Sequence, residues 1–429
     1  MRATRRPPPA TSGGSPRAAG AGPESEACRP LAAGSVFTVA AAVCAAAGLA
    51  AAAEPAFRTD AEPNQKLPWY QLVPGKFPPP HSAHEISGEL IQCHHTERRF
   101  QIRVDRSDSQ GRGDFDLPLE STMLPYGSIS YHGAPAALQD IPLGTHLHGL
   151  FYLRDPADTS PPPAGPHKRR TADWEFKRCL RLEDDFTRQS RLGQAWRIEA
   201  VDLAGKKLRA SLWRGDEQIG PPLSFDLMGG TRVHAGRCSG GLESIAVGQT
   251  VQLNLTWATL HGPGRVLDIW LDEASRELAT ALQLERHRDQ VRDRGLPGWI
   301  DAVDDEAQVV TITFFAGVDP ALFDELTAID EEPHGWPFSA REDDPKAPKG
   351  GIAVAQENLL TYEPMHDRKG GNILAIETVP QEVGSSGVQI KVKCCMLLEG
   401  FRPGRIVRFY PATWPVNTLP REEQLYGRE

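Results

Sequence analysis

LESIAVGQTVQLNL, residues 242–255, is the stretch whose reading decides the fold. Leu242 and Ile245, three apart, can seat one short turn on an apolar core. Gly248 lets the chain reverse with a positive φ, and Val251, Leu253 and Leu255 then alternate with Gln252 and Asn254 as a strand does. The same frame returns as Leu138, Ile141, Gly144 and Leu147, and again as Leu398, Phe401, Gly404 and Val407, with identical spacing. One folding unit, used three times, is the economical reading.

The opening half of the unit supports this. Residues 182–208 align without a gap on 284–310, sharing Gly193/Gly295, Ile198/Ile300, Ala200/Ala302, Val201/Val303 and Asp202/Asp304. Leu90 and Phe100 keep the corresponding ten-residue spacing in the first copy. Residues 198–202 and 208–212 read as two strands joined by a Gly-containing turn. Residues 100–104 and 310–314 occupy the second-strand position, and Phe225-Asp226-Leu227 and Phe115-Asp116-Leu117 suggest a further strand. Several short strands in so few residues leave open edges unless the sheet closes on itself, so a small barrel is favoured over a sandwich. The expected fold is therefore mainly β, with three tandem small β-barrels at 86–154, 194–258 and 296–411.

These paired opening strands and the L-x-x-I-x-x-G-x-x-V closing turn resemble the S1-like and OB-fold-like barrel modules of uncharacterised exported bacterial repeat proteins. The resemblance implies the binding of a ligand or partner. It assigns no site residues, because the base-stacking aromatics of nucleic-acid-binding members have no counterparts that can be located in this chain.

Between the units, 54–85 is a Pro-rich extended arm in which Trp69-Tyr70 is placed to dock on a neighbouring barrel. Residues 155–193 form a linker with a lead-in helix over 175–191, and 259–295 a connecting helix. In the latter, Leu271, Ala274, Leu278, Ala281 and Leu282 fall at helical spacing, and the charged final turns, 285–294, should face water. The third unit carries an insertion of about fifty residues, roughly 316–371, opening with Asp319-Pro320 as a cap and first helical position. Residues 412–429 form a C-terminal tail.

The chain has 429 residues, of which 40% are hydrophobic, enough to build real cores, and a net charge of −9, which argues against nucleic acid as a partner. The 23 uncharged residues from Leu31 to Ala53 follow a disordered leader holding five arginines and end in Ala51-Ala52-Ala53, the pattern of a cleavable signal peptide. Export to the periplasm, cell envelope or exterior is expected. Retained, the same segment would be a membrane anchor. Removing residues 1–53 takes the charge from −9 to −12 and leaves five cysteines, Cys93, Cys179, Cys238 and the adjacent Cys394 and Cys395, too few and odd for a disulfide framework.

No P-loop, dinucleotide fingerprint, G-x-S-x-G or H-E-x-x-H is present, so no catalytic residue and no cofactor is assigned. The expected function is an exported, non-enzymatic binding or envelope-structural protein with a protein or envelope component as partner. The alternative is a metal-binding or metal-dependent protein using the histidines of the first unit. His146 and His148 flank inward Leu147 on the closing strand and so share the opposite face, as two metal ligands must, with Cys93 or His95 on the opening strand as a further donor. Glu183-Asp184-Asp185, Asp304-Asp305 and Asp343-Asp344 lack calcium-loop spacing and read as solvated termini. Trp213, Trp257 and Trp270 read as core packing rather than a sugar platform, and His234 and His366 as hydrogen-bonded histidines.

Overall fold

The structure is a computed structural model that describes residues 75–78, 80, 83–105, 119–152, 178–256, 264–329, 351–355, 368–394, 397 and 400–414. The leader and Leu31 to Ala53, Trp69-Tyr70, Phe115 to Leu117, most of the 155–193 linker, Trp257, Trp336, Asp343-Asp344, His366, Cys395, Leu398 and the tail beyond 414 lie outside the described residues.

The protein is mainly β. The first group of strands is β1 (Ala83–His94), β2 (Arg99–Val104), β3 (Leu119–Tyr131), β4 (Ala134–Pro135), β5 (His146–Tyr152) and β6 (Arg178–Asp184), followed by helix α1 (Asp185–Arg191). The second is β7 (Gln194–Asp202), β8 (Lys207–Arg214), β9 (Glu217–Ala235), β10 (Cys238–Gly240), β11 (Thr250–Thr256) and β12 (Arg265–Trp270), followed by α2 (Glu273–Arg294). The third is β13 (Leu296–Asp304), β14 (Val309–Phe315), β15 (Ile352–Ala355), β16 (Arg368–Thr378), β17 (Ser385–Cys394) and β18 (Ile406–Tyr410). The third group is a closed barrel in the order β13-β14-β17-β16-β15-β18. The others are six-stranded sheets, β2-β1-β5-β6-β3-β4 and β10-β9-β12-β11-β7-β8, in which β2 also pairs with β3 and β8 with β9.

One local device recurs in all three groups. Gly144 N–H donates to Leu90 O at 2.7 Å, Gly248 N–H to Ile198 O at 2.7 Å and Gly404 N–H to Ile300 O at 2.8 Å. In return Leu90, Ile198 and Ile300 each donate to the carbonyl of the residue after that glycine, at 2.9 Å every time. The register of each opening strand slips just past this point, at Leu90/Gln92, Ile198/Ala200 and Ile300/Ala302. A bulge there turns the strand so that it can ladder with two neighbours. The glycines sit at φ 89°, 88° and 81°, and Leu90, Ile198 and Ile300 are buried at the heart of three separate cores.

Two expectations are corrected. The helix expected over 175–191 forms only in its second half, and the described residues before it, Arg178–Asp184, are a strand. β6 runs antiparallel to β5 and parallel to β3, and only Asp185–Arg191 is helical. Cys179 and Leu182 on it are wholly buried, which a solvated lead-in helix would not require. Of the connecting helix expected over 259–295, Glu273–Arg294 forms as α2, capped by Asp272 and ended by Gly295 at φ 78°, while Arg265–Trp270 is strand β12, and most of the helix's buried residues are polar. Ser275, Gln283, His287 and Val291 are buried, while Leu282 is 47% exposed. The helix lies against backbone and loop ends that need hydrogen-bonding partners: Thr280 Oγ1 donates to His132 O at 2.7 Å and Gln283 Nε2 to Asp140 at 3.1 Å. Its charged final turns do not simply face water, since Arg288 pairs with Asp319 at 2.5 Å and Arg292 with Glu325 at 2.7 Å.

The groups also touch directly. Tyr126, Leu180 and Tyr152 of the first pack with Trp299 and Phe315 of the third, and Phe77 of the arm lies 4.2 Å from the Trp299 ring. Among the described residues no helix is long and apolar enough to cross a membrane.

Nothing lies within 4 Å of the position a Cβ would take at Gly248, so Gly248→Ala is expected to lose about 1–2 kcal/mol from its φ alone, measured by urea unfolding. Burial pushes the His287 imidazole down to about 4, with Asp319 and Asp140 opposing and Arg288 assisting, and its Nε2 accepts Asp319 N–H at 3.1 Å. The unfolded chain takes up this proton near pH 6.5 and the folded chain only near 4. Stability should therefore fall as pH drops between those values, by on the order of 2 kcal/mol. His287→Gln should flatten that slope in urea titrations at pH 7 and pH 5.

Candidate metal centre

Alternation along β5 buries Leu147 in the first core and turns His146 and His148 to the other face. Register then decides their neighbours. His146 lies opposite Glu89 of β1 and His148 opposite Ser87. From the far side, β6 delivers the chain into α1, and the first helical residue, Asp185, points its carboxylate at both rings. His146 Nδ1 is 2.8 Å and His148 Nε2 2.9 Å from Asp185 Oδ1. One ligand atom from each of these three residues falls within 4.8 Å of the others.

Asp185 is held from the second sheet, since its Oδ2 accepts Leu255 N–H at 3.0 Å. The turn itself is braced by neighbours. Asp184 caps α1 by accepting Thr187 N–H at 3.0 Å and also accepts from Asn254 Nδ2 at 2.7 Å, while Asn254 Oδ1 takes Phe186 N–H at 2.8 Å. Behind His146, Asp105 Oδ2 meets Nε2 at 2.7 Å and is itself held by Ser87 Oγ at 2.5 Å. Beside His148, Glu85 Oε1 lies 3.9 Å from Nδ1 and is neutralised by the Arg188 guanidinium.

A ring whose nitrogens both meet carboxylate oxygens satisfies both only as the imidazolium. Burial opposes that charge, but Asp185 and Asp105 overcome it and hold His146 well above its ordinary range. Burial likewise works against the Asp185 anion and loses to the two histidines, so that carboxyl is held below the usual carboxylate range. The donor set itself, two imidazoles and one carboxylate with a second carboxylate behind one ring, is the set that binds divalent transition metals.

The other candidate ligands lie elsewhere. Cys93 and His95 fall beyond the part of β1 that pairs with β5. Cys93 faces the first core, its Sγ 3.7 Å from Leu138 O, and His95 lines a separate cavity. Asp185 belongs to an acidic triplet whose sequence alone suggests a solvated terminus. The structure corrects that reading, since Glu183, Asp184 and Asp185 are 2%, 0% and 4% exposed. The signal available was the buried-type pattern of residues 179–182 just ahead of it, which marks a strand running into the site rather than a helix on the surface. His234 is hydrogen-bonded, 2.8 Å from Asp268, and stacks on buried Trp270.

No family model matches the chain, and no curated protein matches it. Among solved structures, the crystal structure of Ag(I)CusF matches 18% of this chain and 95% of its own, with 16% identity and a TM-score of 0.14. A likeness at that TM-score bears on neither fold nor ligand.

Removing the Asp185 carboxylate leaves the Nδ1–H of the buried His146 imidazolium and the Leu255 amide without an acceptor, with Asp105 still on Nε2. Asp185→Ala is expected to cost about 3–5 kcal/mol in chelator-treated protein, read from urea midpoints.

Proposed function

We propose that the protein is an exported, non-enzymatic binding protein assembled from three related small β-barrel modules, and that the first module binds one divalent transition cation through His146, His148 and Asp185. The observation that carries the ligand is the convergence of two imidazole nitrogens and a carboxylate oxygen within 4.8 Å. In a tetrahedral zinc site neighbouring donors stand roughly 3.3 Å apart. The nitrogen–oxygen separations of 2.8 and 2.9 Å therefore need to open by only about half an ångström. Asp105 supports the reading as the outer carboxylate that fixes the tautomer of a ligating histidine. A cation would replace the proton on His146 Nδ1 and leave Nε2–H on Asp105.

The modular part rests on the recurring hydrogen-bond exchange at Leu90, Ile198 and Ile300 and on the extra ladders β2–β3 and β8–β9, which join the flanking strands of the first two sheets. Export rests on the apolar run from Leu31 to Ala53 behind an arginine-bearing leader. A protein or envelope component remains the expected partner.

The test is metal analysis and calorimetry on purified protein. Stoichiometric binding of Zn²⁺ or Co²⁺, with release of a proton, is expected. It should vanish in His146→Ala/His148→Ala and persist in Cys93→Ser and His95→Ala. A folded protein that takes up no transition metal at micromolar concentration would sink the reading and leave the cluster as an ionic clamp between the first two sheets.

A further inference from the structure

A second place in the molecule carries charge that the histidine site does not account for. A cavity of about 200 Å³ lies where the β1–β2 turn, α2 and the barrel strand β18 meet. Arg98, Arg294, Arg408, His95 and His287 line it, and among the described lining residues there is no carboxylate. This is unexpected in a chain whose acids outnumber its bases, 56 to 47.

The three arginines differ in what they already hold. Arg98, at φ 51° in the β1–β2 turn, spends its guanidinium on the carbonyls of Leu124, Pro125 and Gly127 at 3.1, 2.8 and 2.6 Å, the irregular stretch of β3. Arg294 has the carboxylate of Asp293. Arg408 has only a long hydrogen bond to Gly295 O at 3.4 Å, and its Nε is buried without a hydrogen-bond partner among the described residues. Burial, and then the charge of Arg408, lower Arg98 to about 10, and burial also lowers Arg408. Two guanidinium charges thus share a poorly solvated space with no carboxylate among the described lining residues to offset them, an arrangement costly to leave unpaired.

We propose that this cavity binds a small oxyanion, held chiefly by the Arg408 guanidinium with Arg98 behind it. Arg408 supplies the planar pair of N–H donors that fits two oxygens of a phosphate, sulfate or carboxylate. The volume suits one such group with a few waters rather than a large ligand. The site shares no residue with the histidine cluster.

The test titrates the full protein, in chelator, with inorganic phosphate, sulfate or acetate at ionic strength fixed by chloride, followed by calorimetry and thermal melting. Saturable binding of at least one anion is expected, and the preference among the three separates tetrahedral from carboxylate ligands. Arg408→Gln should weaken it roughly tenfold or more, while leaving the anion-free protein no less stable. Arg286→Gln, on α2 but lining a different cavity, should not change it. Absence of saturable binding in the wild type, or equal binding by Arg408→Gln, overturns the proposal. If Arg408→Gln does not fold, Arg408→Lys is read instead: weaker binding than wild type supports the proposal, and unchanged binding overturns it.

Discussion

Each strand group is organised around one exchange of backbone hydrogen bonds, between a buried residue of the opening strand and a glycine turn about fifty or more residues downstream. The residue is Leu90, Ile198 or Ile300, and its side chain is the centre of the core that forms around it. Because the side chain is buried, its own N–H and C=O must be paired within the fold, and the turn supplies both partners at once. The bulge beside it then aims the rest of the opening strand at a second neighbour. The glycine is required for its backbone, while Leu138 and Ile141, Leu242 and Ile245, and Phe401 anchor the respective turns on their cores.

This explains how much could be read from the residues. The closing motif, the ten-residue spacing to the next strand and the inward Leu147 all depend on local periodicity, and the structure has them where the pattern puts them. β6 was missed because the strand that completes the first sheet arrives after residues 153–177, next to acidic residues that resemble a helix start. Its parallel ladder with β3 is non-local, and nothing in its own stretch specifies that partner. The buried face of α2 was missed for a related reason. Periodicity finds apolar stripes, and this helix presents Ser275, Gln283 and His287 to polar surroundings instead. The third group departs from the other two in the same non-local way. It closes with β15, drawn from the insertion, and β16, which begins at the insertion's end, both antiparallel to their neighbours, where the first two use a parallel strand placed after the closing one.

The histidine pair was legible in part. Alternation puts His146 and His148 on one face, but the carboxylate that joins them depends on β6. Asp105, just past the end of β2, owes its position to Asp105 N–H bonding to Ser87 O at 3.0 Å. Cys93, although on the same opening strand β1, faces the first core and lies beyond the part of that strand that pairs with β5. Sharing a strand was not enough; ladder register decides which residues reach the histidines.

The grip of Leu255 N–H on Asp185 has a bearing on how the molecule could arise and be dissected. That amide sits 70 residues beyond the carboxylate it fixes, on a strand that belongs to the next sheet. A ribosome must therefore release most of the second sheet before the first module's imidazoles gain a rigid acidic companion. A fragment cut after α1 would carry every side chain of the cluster yet lack the amide that immobilises it. The first sheet's acidic companion is thus not self-sufficient, because a strand of the second sheet is a structural component of it.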